Sequence, residues 1–214
     1  VVQSSAVWCT VYQDLIDQTL REVTQCENVI WKIAESRLIQ DGYDASDIIP
    51  EEEDSDPEPV HALENGVGFL GFPHLPGQKT GVYCDQRENR NTLSQFTQGK
   101  SVLDLCCYHG GFSLTALVKG GAHSAVGVDS SGAAIQAAQE NAKLNNCHHK
   151  VTFIQSDISA FMQQASAEGL SYQVVVLDPP KLAPTAASLE KARRKYHGLN
   201  RDAIKLVDPV HGGI

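Results

Sequence analysis

The sequence lacks a long apolar run, a recognisable leader and a pattern of paired cysteines. No stretch of about eighteen consecutive apolar residues is present, which excludes an ordinary membrane-spanning helix. The chain does not open with a positively charged segment followed by an apolar one, so no secretory signal is visible. We therefore expect a cytoplasmic protein, or an organellar one if a targeting segment has been removed. A membrane partner is not expected.

The six cysteines have no CxxC spacing and no regular framework, and they are Cys9, Cys26, Cys84, Cys106, Cys107 and Cys147. We expect them to be reduced, buried small residues rather than disulfides or zinc ligands. The adjacent Cys106 and Cys107 are interpreted as packing residues rather than nucleophiles. The His148-His149 pair has no companions at metal-ligand spacing, and we place it on the surface. No metal site is predicted.

The net charge of −9 is concentrated in one segment. Residues 44–58 contain eight acids and no base, and without these eight the chain would have a net charge of −1. With Pro59, the segment 44–59 contains three prolines and is typical of a solvated linker. Basic residues cluster near the carboxyl end, at Lys191, Arg193, Arg194, Lys195, Arg201 and Lys205. Such a cluster suits phosphate contact, but an ordinary charged helix explains the charge equally well.

The segment Val102–Phe112 (VLDLCCYHGGF) is the most informative in the chain. It predicts a buried strand, a tight glycine turn and the start of a helix. Asp104 lies within the apolar strand, where a carboxylate is costly unless something binds it. A second strand ends in Asp129, which is the position from which an acid accepts hydrogen bonds from ribose hydroxyls. A generic βαβ unit with a helix-capping aspartate is the alternative.

Two further strands end in polar residues. Residues 150–155 lead into Asp157, and residues 172–177 lead into Asp178-Pro179-Pro180-Lys181. Helical segments at 130–144 and 157–168 separate the strands. This alternation predicts an α/β fold with a doubly wound parallel sheet, whose ligands bind outside the carboxyl ends of the strands.

The amino-terminal residues 1–43 predict a small α/β domain. Its elements are a strand at Ala6–Tyr12, a helix at Asp14–Val23 and a second strand at Asn28–Ala34, with Trp8 and Trp31 in the core. Residues 44–59 are the acidic linker. Residues 60–98 are a hairpin and lid segment, in which strands at 60–63 and 67–72 flank the turn signal Asn65-Gly66. Residues 99–214 form the sheet domain.

The motifs VLDLCCYHGGF, GVDSS, SDI and VVLDPPK resemble the sequential motifs of class I S-adenosylmethionine-dependent methyltransferases, which have a Rossmann-like fold. The segment GQKTGVYCDQRENR, with LDPPK and LNRDAIKL, is similar to the RlmI-like group of ribosomal RNA 5-methylcytosine methyltransferases. The resemblance implies an RNA-binding enzyme with S-adenosyl-L-methionine as cofactor and ribosomal RNA as partner. It leaves open which nucleotide is methylated and whether the protein forms a homodimer.

The resemblance implies three groups of site residues. The cofactor-binding residues would be Asp104, Tyr108, His109, Gly110, Gly111, Asp129, Ser130 and Asp157. Facing the target base would be Asp178, Pro179, Pro180 and Lys181. A lid between cofactor and RNA would be formed by Lys79, Asp85, Gln86, Arg87 and Arg90. His109 departs from the usual threonine, which is tolerable if this position contributes mainly its backbone.

Both ends of the chain look cut relative to the resembling family. The resemblance implies a nucleophilic cysteine beyond Ile214, so we expect these residues alone not to methylate RNA. It also implies that the strand at 172–177 is left as a sheet edge. Two alternatives stay open: a non-catalytic RNA-binding or assembly protein that retains the fold, and an NAD-dependent oxidoreductase. The latter lacks the GxGxxG signature in the turn.

Overall fold

The computed structural model describes residues 2–4, 6–33, 38–39, 42, 59–71, 84–183 and 188–212. It divides into two compact units, one of residues 1–60 with 71–83 and the other of residues 61–70 with 84–214. Most of the acidic segment and Lys79 lie outside the described residues. Among the residues that are described, no helix is long and apolar enough to cross a membrane.

The first unit contains a small parallel sheet and two helices. Strands β1 (Val2–Ser4) and β2 (Trp31–Ile33) pair in parallel, and between them come helices α1 (Val7–Val11) and α2 (Gln13–Thr24). The predictions of α2 and of a strand at Trp31 are confirmed. Trp31 belongs to the core at 8% exposure, and its indole N–H donates to Asp17.

The predicted strand at Ala6–Tyr12 is wrong, because this segment is helical. The Tyr12 N–H donates to the Trp8 carbonyl at 3.0 Å, and the Cys9 N–H donates to the Ala6 carbonyl at 3.1 Å. The apolar residues of so short a segment fit helical spacing as well as they fit a strand. The placement of Trp8 in the core is also wrong, since its side chain is 62% exposed.

The second unit is built on a four-stranded parallel sheet. Its strands are β5 (Ser101–Leu105), β6 (Ser124–Asp129), β7 (Val151–Gln155) and β8 (Val174–Leu177), in the order β7-β6-β5-β8. Strand β8 lies at the edge of the described sheet, as predicted. Before it, Tyr172 forms a single parallel bridge with Val207. The predicted α/β doubly wound fold is confirmed.

Four helices connect or follow these strands. They are α4 (Gly111–Val118), α5 (Gly132–Leu144), α6 (Ile158–Ala167) and α7 (Leu189–Ile204). One part of the core consists of Leu103, Leu105, Val128, Met162 and Leu199 with their neighbours. Burial of this apolar surface stabilises the sheet and orients the carboxyl ends of its strands toward one edge.

The predicted hairpin is confirmed and packs on the sheet domain. Strands β3 (Val60–Glu64) and β4 (Val67–Gly71) are joined by Asn65 and Gly66, both in the left-handed region with φ of 52° and 86°. This conformation is that of the type I′ turn, which matches the twist of paired strands. Val67 and Phe69 are buried, which gives β4 one apolar face.

Two asparagines of α5 bond to the backbone of the hairpin. Asn145 accepts from the Gly68 N–H at 2.9 Å and donates to the Gly68 carbonyl at 2.7 Å. Asn141, one turn earlier on the same face, accepts from the Leu70 N–H at 2.8 Å. These amides satisfy backbone groups that would otherwise be left unpaired at the strand edge.

The cysteines are free thiols, but not all of them are buried as predicted. Cys107 and Cys147 are buried, Cys9 and Cys106 are half-buried, and Cys26 and Cys84 are exposed. The prediction that His148 and His149 lie on the surface is confirmed.

Candidate functional site at the carboxyl edge of the sheet

Four aspartates lie at or near the carboxyl ends of the four parallel strands. Asp104 lies in β5 opposite Gly127 and Val176, Asp129 ends β6, and Asp157 comes two residues after β7. The Asp178 N–H extends the pairing by donating to the Leu105 carbonyl at 3.3 Å. The parallel register therefore brings these carboxylates to one edge of the sheet, as the sequence pattern predicts.

The turn after β5 alternates through the left-handed region. Cys106, Tyr108 and Gly110 have φ of 65°, 49° and 83°. For the two residues that have a β-carbon this conformation is strained, and such strain concentrates at functional sites. At Gly110 a β-carbon would lie 2.9 Å from the Phe153 ring, so the position requires glycine. The glycine therefore allows the turn to pack closely against Phe153 of β7.

Asp129 joins this turn to the chain that follows β6, with one carboxylate oxygen bonded to each. Oδ2 accepts from the Tyr108 N–H at 2.9 Å, and Oδ1 accepts from the Ser131 N–H at 2.9 Å. Asp129 is half-buried, while Ser130 beside it is exposed. A carboxylate fixed by two backbone donors is oriented before any ligand arrives.

Asp157 is exposed and caps helix α6. Its Oδ1 accepts from the Ser159 N–H at 2.8 Å and from the Ala160 N–H at 3.1 Å. Capping accounts for a carboxylate at this position by itself, typically with about 1 kcal/mol. The same bonds fix its side chain at the edge of the sheet, so the structural role and the predicted ligand role are compatible.

Asp104 is fully buried and only partly satisfied. Its Oδ2 accepts from the Ser113 N–H at 3.0 Å and the Ser113 hydroxyl at 2.7 Å. Its Oδ1 has no hydrogen-bond partner among the described residues. Burial raises the pKa of Asp104 to about 6, against the opposing effect of the Ser113 bonds, and the Asp178 and Asp129 charges raise it further. A buried acceptor of this kind suits a cationic ligand.

The loop after β8 forms hydrogen bonds with Gln86 and with Tyr196 of α7. The Gln86 amide donates to the Asp178 carboxylate at 3.3 Å. The Tyr196 hydroxyl of α7 donates to the Pro180 carbonyl at 3.3 Å and accepts from the Leu182 N–H at 3.2 Å. Pro179 is half-buried between these attachments, and Lys181 is exposed. Sequence reasoning missed Tyr196, whose helical spacing marks it as an inward residue but not as a partner of this loop.

The predicted lid residues do not all lie in one place. Gln86 lies beside Asp178, and it belongs to the short 3-10 turn Cys84–Gln86, which leads into helix α3 (Arg87–Ser94). Asp85 and Arg87 are exposed. Lys79 lies outside the described residues.

Arg90 does not face a substrate as predicted, because it is 3% exposed. Its guanidinium forms a bidentate pair with Glu64 of the hairpin, with both N–O distances at 2.7 Å. The Arg90 Cδ lies 3.1 Å from where a β-carbon of Gly111 would be. The Arg90 side chain therefore packs against the turn at Gly111. Glu64 was missed because its partner is 26 residues away and no short-range pattern marks it.

His109 contributes its backbone to the turn while its ring packs toward the hairpin. The ring centroid lies 5.1 Å from that of Phe69, and the His109 carbonyl accepts from the Asn141 amide at 3.1 Å. Neither ring nitrogen has a partner in the described structure. Burial, followed by the charge of Arg90, lowers the pKa of His109 to about 4, so the ring is neutral near pH 7.

The two cysteines of the turn are poor nucleophiles. Burial raises the pKa of Cys106 to about 12 and raises that of Cys107 as well, and neighbouring aspartates add to both effects. Because the thiolate is the reactive form, neither residue is activated at neutral pH. They pack against the sheet, as predicted.

A comparison with known protein families identifies the family of this chain. The family described as S-adenosylmethionine-dependent methyltransferase matches residues 14–210. The chain belongs to this family. The match confirms the resemblance that the strand-end motifs indicate.

Two relatives carry the name ribosomal RNA large subunit methyltransferase I. The protein from Aeromonas hydrophila is 41% identical over 158 residues, covering 73% of this chain and 39% of the relative. The protein from Shewanella frigidimarina is 41% identical over 157 residues, covering 73% of this chain and 38% of the relative. The chain thus spans less than two thirds of either relative.

Solved structures show the same fold. The S-adenosylmethionine-dependent methyltransferase from Agrobacterium tumefaciens has a TM-score of 0.61 at 24% identity, over 74% of this chain and 51% of the other. SMU.776, solved with S-adenosylhomocysteine, has a TM-score of 0.74 at 24% identity, over 96% of this chain and 52% of the other.

S-adenosylmethionine is the cofactor of this methyltransferase family, and the residues at the sheet edge fit its chemistry. The molecule has a cationic sulfonium, an ammonium group, two ribose hydroxyls and an adenine amino group. The edge offers acceptors for such groups: the unpartnered Oδ1 of Asp104 and the oriented carboxylates of Asp129 and Asp157.

The buried pair between Glu64 and Arg90 gives a first testable prediction. Replacing Glu64 with alanine removes the carboxylate that compensates a buried guanidinium, so the free energy of unfolding should fall by about 3–5 kcal/mol. The matched control is Glu88→Ala, which breaks the exposed pair with Arg87 and should cost about 0–1 kcal/mol. Urea unfolding measures both. Equal losses in the two variants would contradict the structural role of the pair.

Asp104 gives a second prediction, through the pH dependence of stability. An aspartate in the unfolded chain has a pKa near 3.8, and burial raises that of Asp104 to about 6. The folded state thus binds the proton more tightly, and this stabilisation is full below pH 4 and lost as the pH rises to 6. Wild type should lose on the order of 3 kcal/mol across this window relative to Asp104→Asn.

Urea unfolding of both proteins without cofactor at pH 4, 5, 6 and 7 makes this comparison. The asparagine keeps an acceptor for Ser113 and does not titrate, so its stability supplies the reference at each pH. A stability difference that stays constant from pH 4 to 7 would show that Asp104 is ionised normally.

Proposed function

We propose that the full-length protein transfers a methyl group from S-adenosylmethionine to C5 of a cytosine in large-subunit ribosomal RNA. The observation that carries this proposal is the arrangement of one sheet edge. There a left-handed turn fixed by Asp129 lies beside the loop after β8, whose Asp178 and Pro180 are held by Gln86 and Tyr196. The names of the relatives support the RNA substrate, and the resemblance of GQKTGVYCDQRENR, LDPPK and LNRDAIKL to 5-methylcytosine methyltransferases supports cytosine.

In this proposal each aspartate binds a different part of the cofactor. Asp129 accepts from the ribose hydroxyls, and Asp157 accepts from the adenine amino group. The backbone of Tyr108–Gly111 surrounds the methionine part, and the buried Asp104 carboxylate compensates its positive charge. The cofactor supplies an electrophilic methyl group on sulfur. The protein holds that group at a fixed place on the edge.

The loop after β8 would receive the base. Asp178 is exposed and would hydrogen-bond the cytosine and assist its proton transfers, while Gln86 orients the carboxylate. A cysteine thiolate would add to C6 and make C5 electron-rich enough to take the methyl group as the methyl–sulfonium bond breaks. Loss of the C5 proton to a base would then release the thiolate from C6 and restore the ring. Cys106 and Cys107 are not activated for this role, because burial raises the pKa of both thiols. Alignment of carbon and methyl supplies the largest rate gain.

The two alternatives are less well supported. An oxidoreductase shares the strand, the turn and the ribose acid, but the family match is to methyltransferases. A non-catalytic RNA-binding protein would keep the fold while losing the chemistry. The Asp178 carboxylate is held by Gln86, and the buried Oδ1 of Asp104 has no partner among the described residues. Both observations favour a retained cofactor site over a fold that has lost its cofactor.

Transfer of labelled methyl from S-adenosylmethionine to protein-free large-subunit ribosomal RNA tests the proposal. The full-length protein should yield labelled 5-methylcytidine after digestion. Asp129→Ala should weaken cofactor binding in calorimetry by about 1–3 kcal/mol, the scale of lost charge-assisted hydrogen bonds. Glu168→Ala, which removes an exposed carboxylate just after the last residue of α6, should not.

Three results would contradict parts of this proposal. Label in a different nucleoside would exclude cytosine C5, and the absence of label despite cofactor binding would favour the non-catalytic alternative. Undiminished cofactor binding by Asp129→Ala would remove Asp129 from the site.

A further inference from the structure

Helix α7 runs from the carboxyl edge of the sheet to the opposite edge. At its middle, the Tyr196 hydroxyl bonds to both Pro180 and Leu182 in the loop after β8. Past its end, the Leu206 carbonyl accepts from the N–H of Tyr172, which precedes β8, at 2.8 Å. The middle of α7 therefore lies beside the proposed base-binding loop, the two turns before Tyr196 continue from that loop, and the last turn lies at the far edge.

The start of α7 presents a cluster of cations to solvent. Lys191, Arg194 and Lys195 are exposed and are spaced i, i+3 and i+4, which puts them on one patch of the helix surface. Ala192, Leu199 and Ala203 form the buried face. Lys181, also exposed, lies between the two loop residues that Tyr196 holds. We call Lys181, Lys191, Arg194 and Lys195 the α7 cation surface.

The cations at the two ends of α7 differ in their partners. Arg201 and Lys205, near the far end, both form salt bridges with Asp202 at 3.1 and 2.9 Å. In the described part of the chain, Lys191, Arg194 and Lys195 form no salt bridge. Like charges at i, i+3 and i+4 repel one another, and the acid of the first turn, Glu190, lies four residues before Arg194.

We propose that the α7 cation surface binds the phosphates of the RNA strand next to the methylated base. This inference rests on the proposed function and adds the place where the RNA backbone lies. The sheet edge collects four aspartates, which repel a polyanion approaching the base-binding loop. The cations of α7 lie near that loop because Tyr196 joins the helix to it, and they offset this repulsion. Their contacts with the phosphates also fix the position of the RNA strand while the loop receives the base.

Two sets of substitutions on the same helix in the full-length protein test the proposal. The first is the triple variant Lys191→Gln, Arg194→Gln and Lys195→Gln. The second, as a matched control, is the double variant Arg201→Gln and Lys205→Gln. All five side chains are exposed, so neither set removes buried contacts. Filter binding of protein-free large-subunit ribosomal RNA is measured from 50 to 300 mM salt, and calorimetry measures S-adenosylmethionine affinity.

The triple variant should bind RNA at least tenfold more weakly than wild type at low salt. Its slope of log K against log salt should be smaller by about 2, the value for three lost contacts to single-stranded phosphates. The control should change RNA affinity less than threefold. Cofactor affinity should match wild type in both, because neither set touches the aspartate edge.

Equal RNA affinity in the triple variant and the control would overturn the proposal, and so would a loss of cofactor affinity equal to the loss of RNA affinity. The readouts also separate this inference from the proposed function. A wild-type protein that binds RNA through this surface but transfers no methyl would overturn the proposed function and still support the binding surface. If wild type transferred methyl to RNA while the triple variant kept full RNA affinity, the proposed function would be supported and the binding surface would be overturned.

Discussion

The hydrogen bond from the Tyr108 N–H to the Asp129 carboxylate is the interaction on which the site depends. It joins the turn after β5 to the end of β6 and holds three residues in the left-handed region. Such a turn is strained on its own and persists only when its surroundings fix it. The second Asp129 oxygen bonds to Ser131, so the same carboxylate also fixes the chain that enters α5. The Asp129 carboxylate thus fixes the chain after both β5 and β6.

The hairpin supports the same turn from the opposite side. Glu64 pairs with the buried Arg90, whose side chain lies against Gly111, and Phe69 packs on the His109 ring. Asn141 bonds to both the hairpin backbone and the His109 carbonyl. The histidine that departs from the family pattern is accommodated by this packing, with its ring directed to the hairpin. A buried ion pair gives little net stability but strongly penalises any arrangement that separates its partners.

Features with a local or periodic signal could be predicted from the sequence. Apolar runs located the four strands, Asn65-Gly66 located the hairpin, and acids after the strands located the site edge. The strand at Ala6–Tyr12 was wrong because short apolar segments fit both periods. The partners Glu64–Arg90 and Tyr196–Pro180 could not be predicted, because they join residues far apart in sequence through side-chain geometry that only the packed fold defines. Arg90 was assigned to the substrate for the same reason, since its burial depends on the hairpin.

The position of the cofactor is the claim from which the proposed function and the RNA surface follow. A crystal structure of the full-length protein with S-adenosylhomocysteine tests it most directly. We expect ribose hydroxyls within hydrogen-bond distance, about 3 Å, of the Asp129 carboxylate, the adenine amino group beside Asp157, and the amino acid part along Tyr108–Gly111. The ligand bound elsewhere, or bound at this edge with Asp129 still contacting only Tyr108 and Ser131, would contradict the assignment.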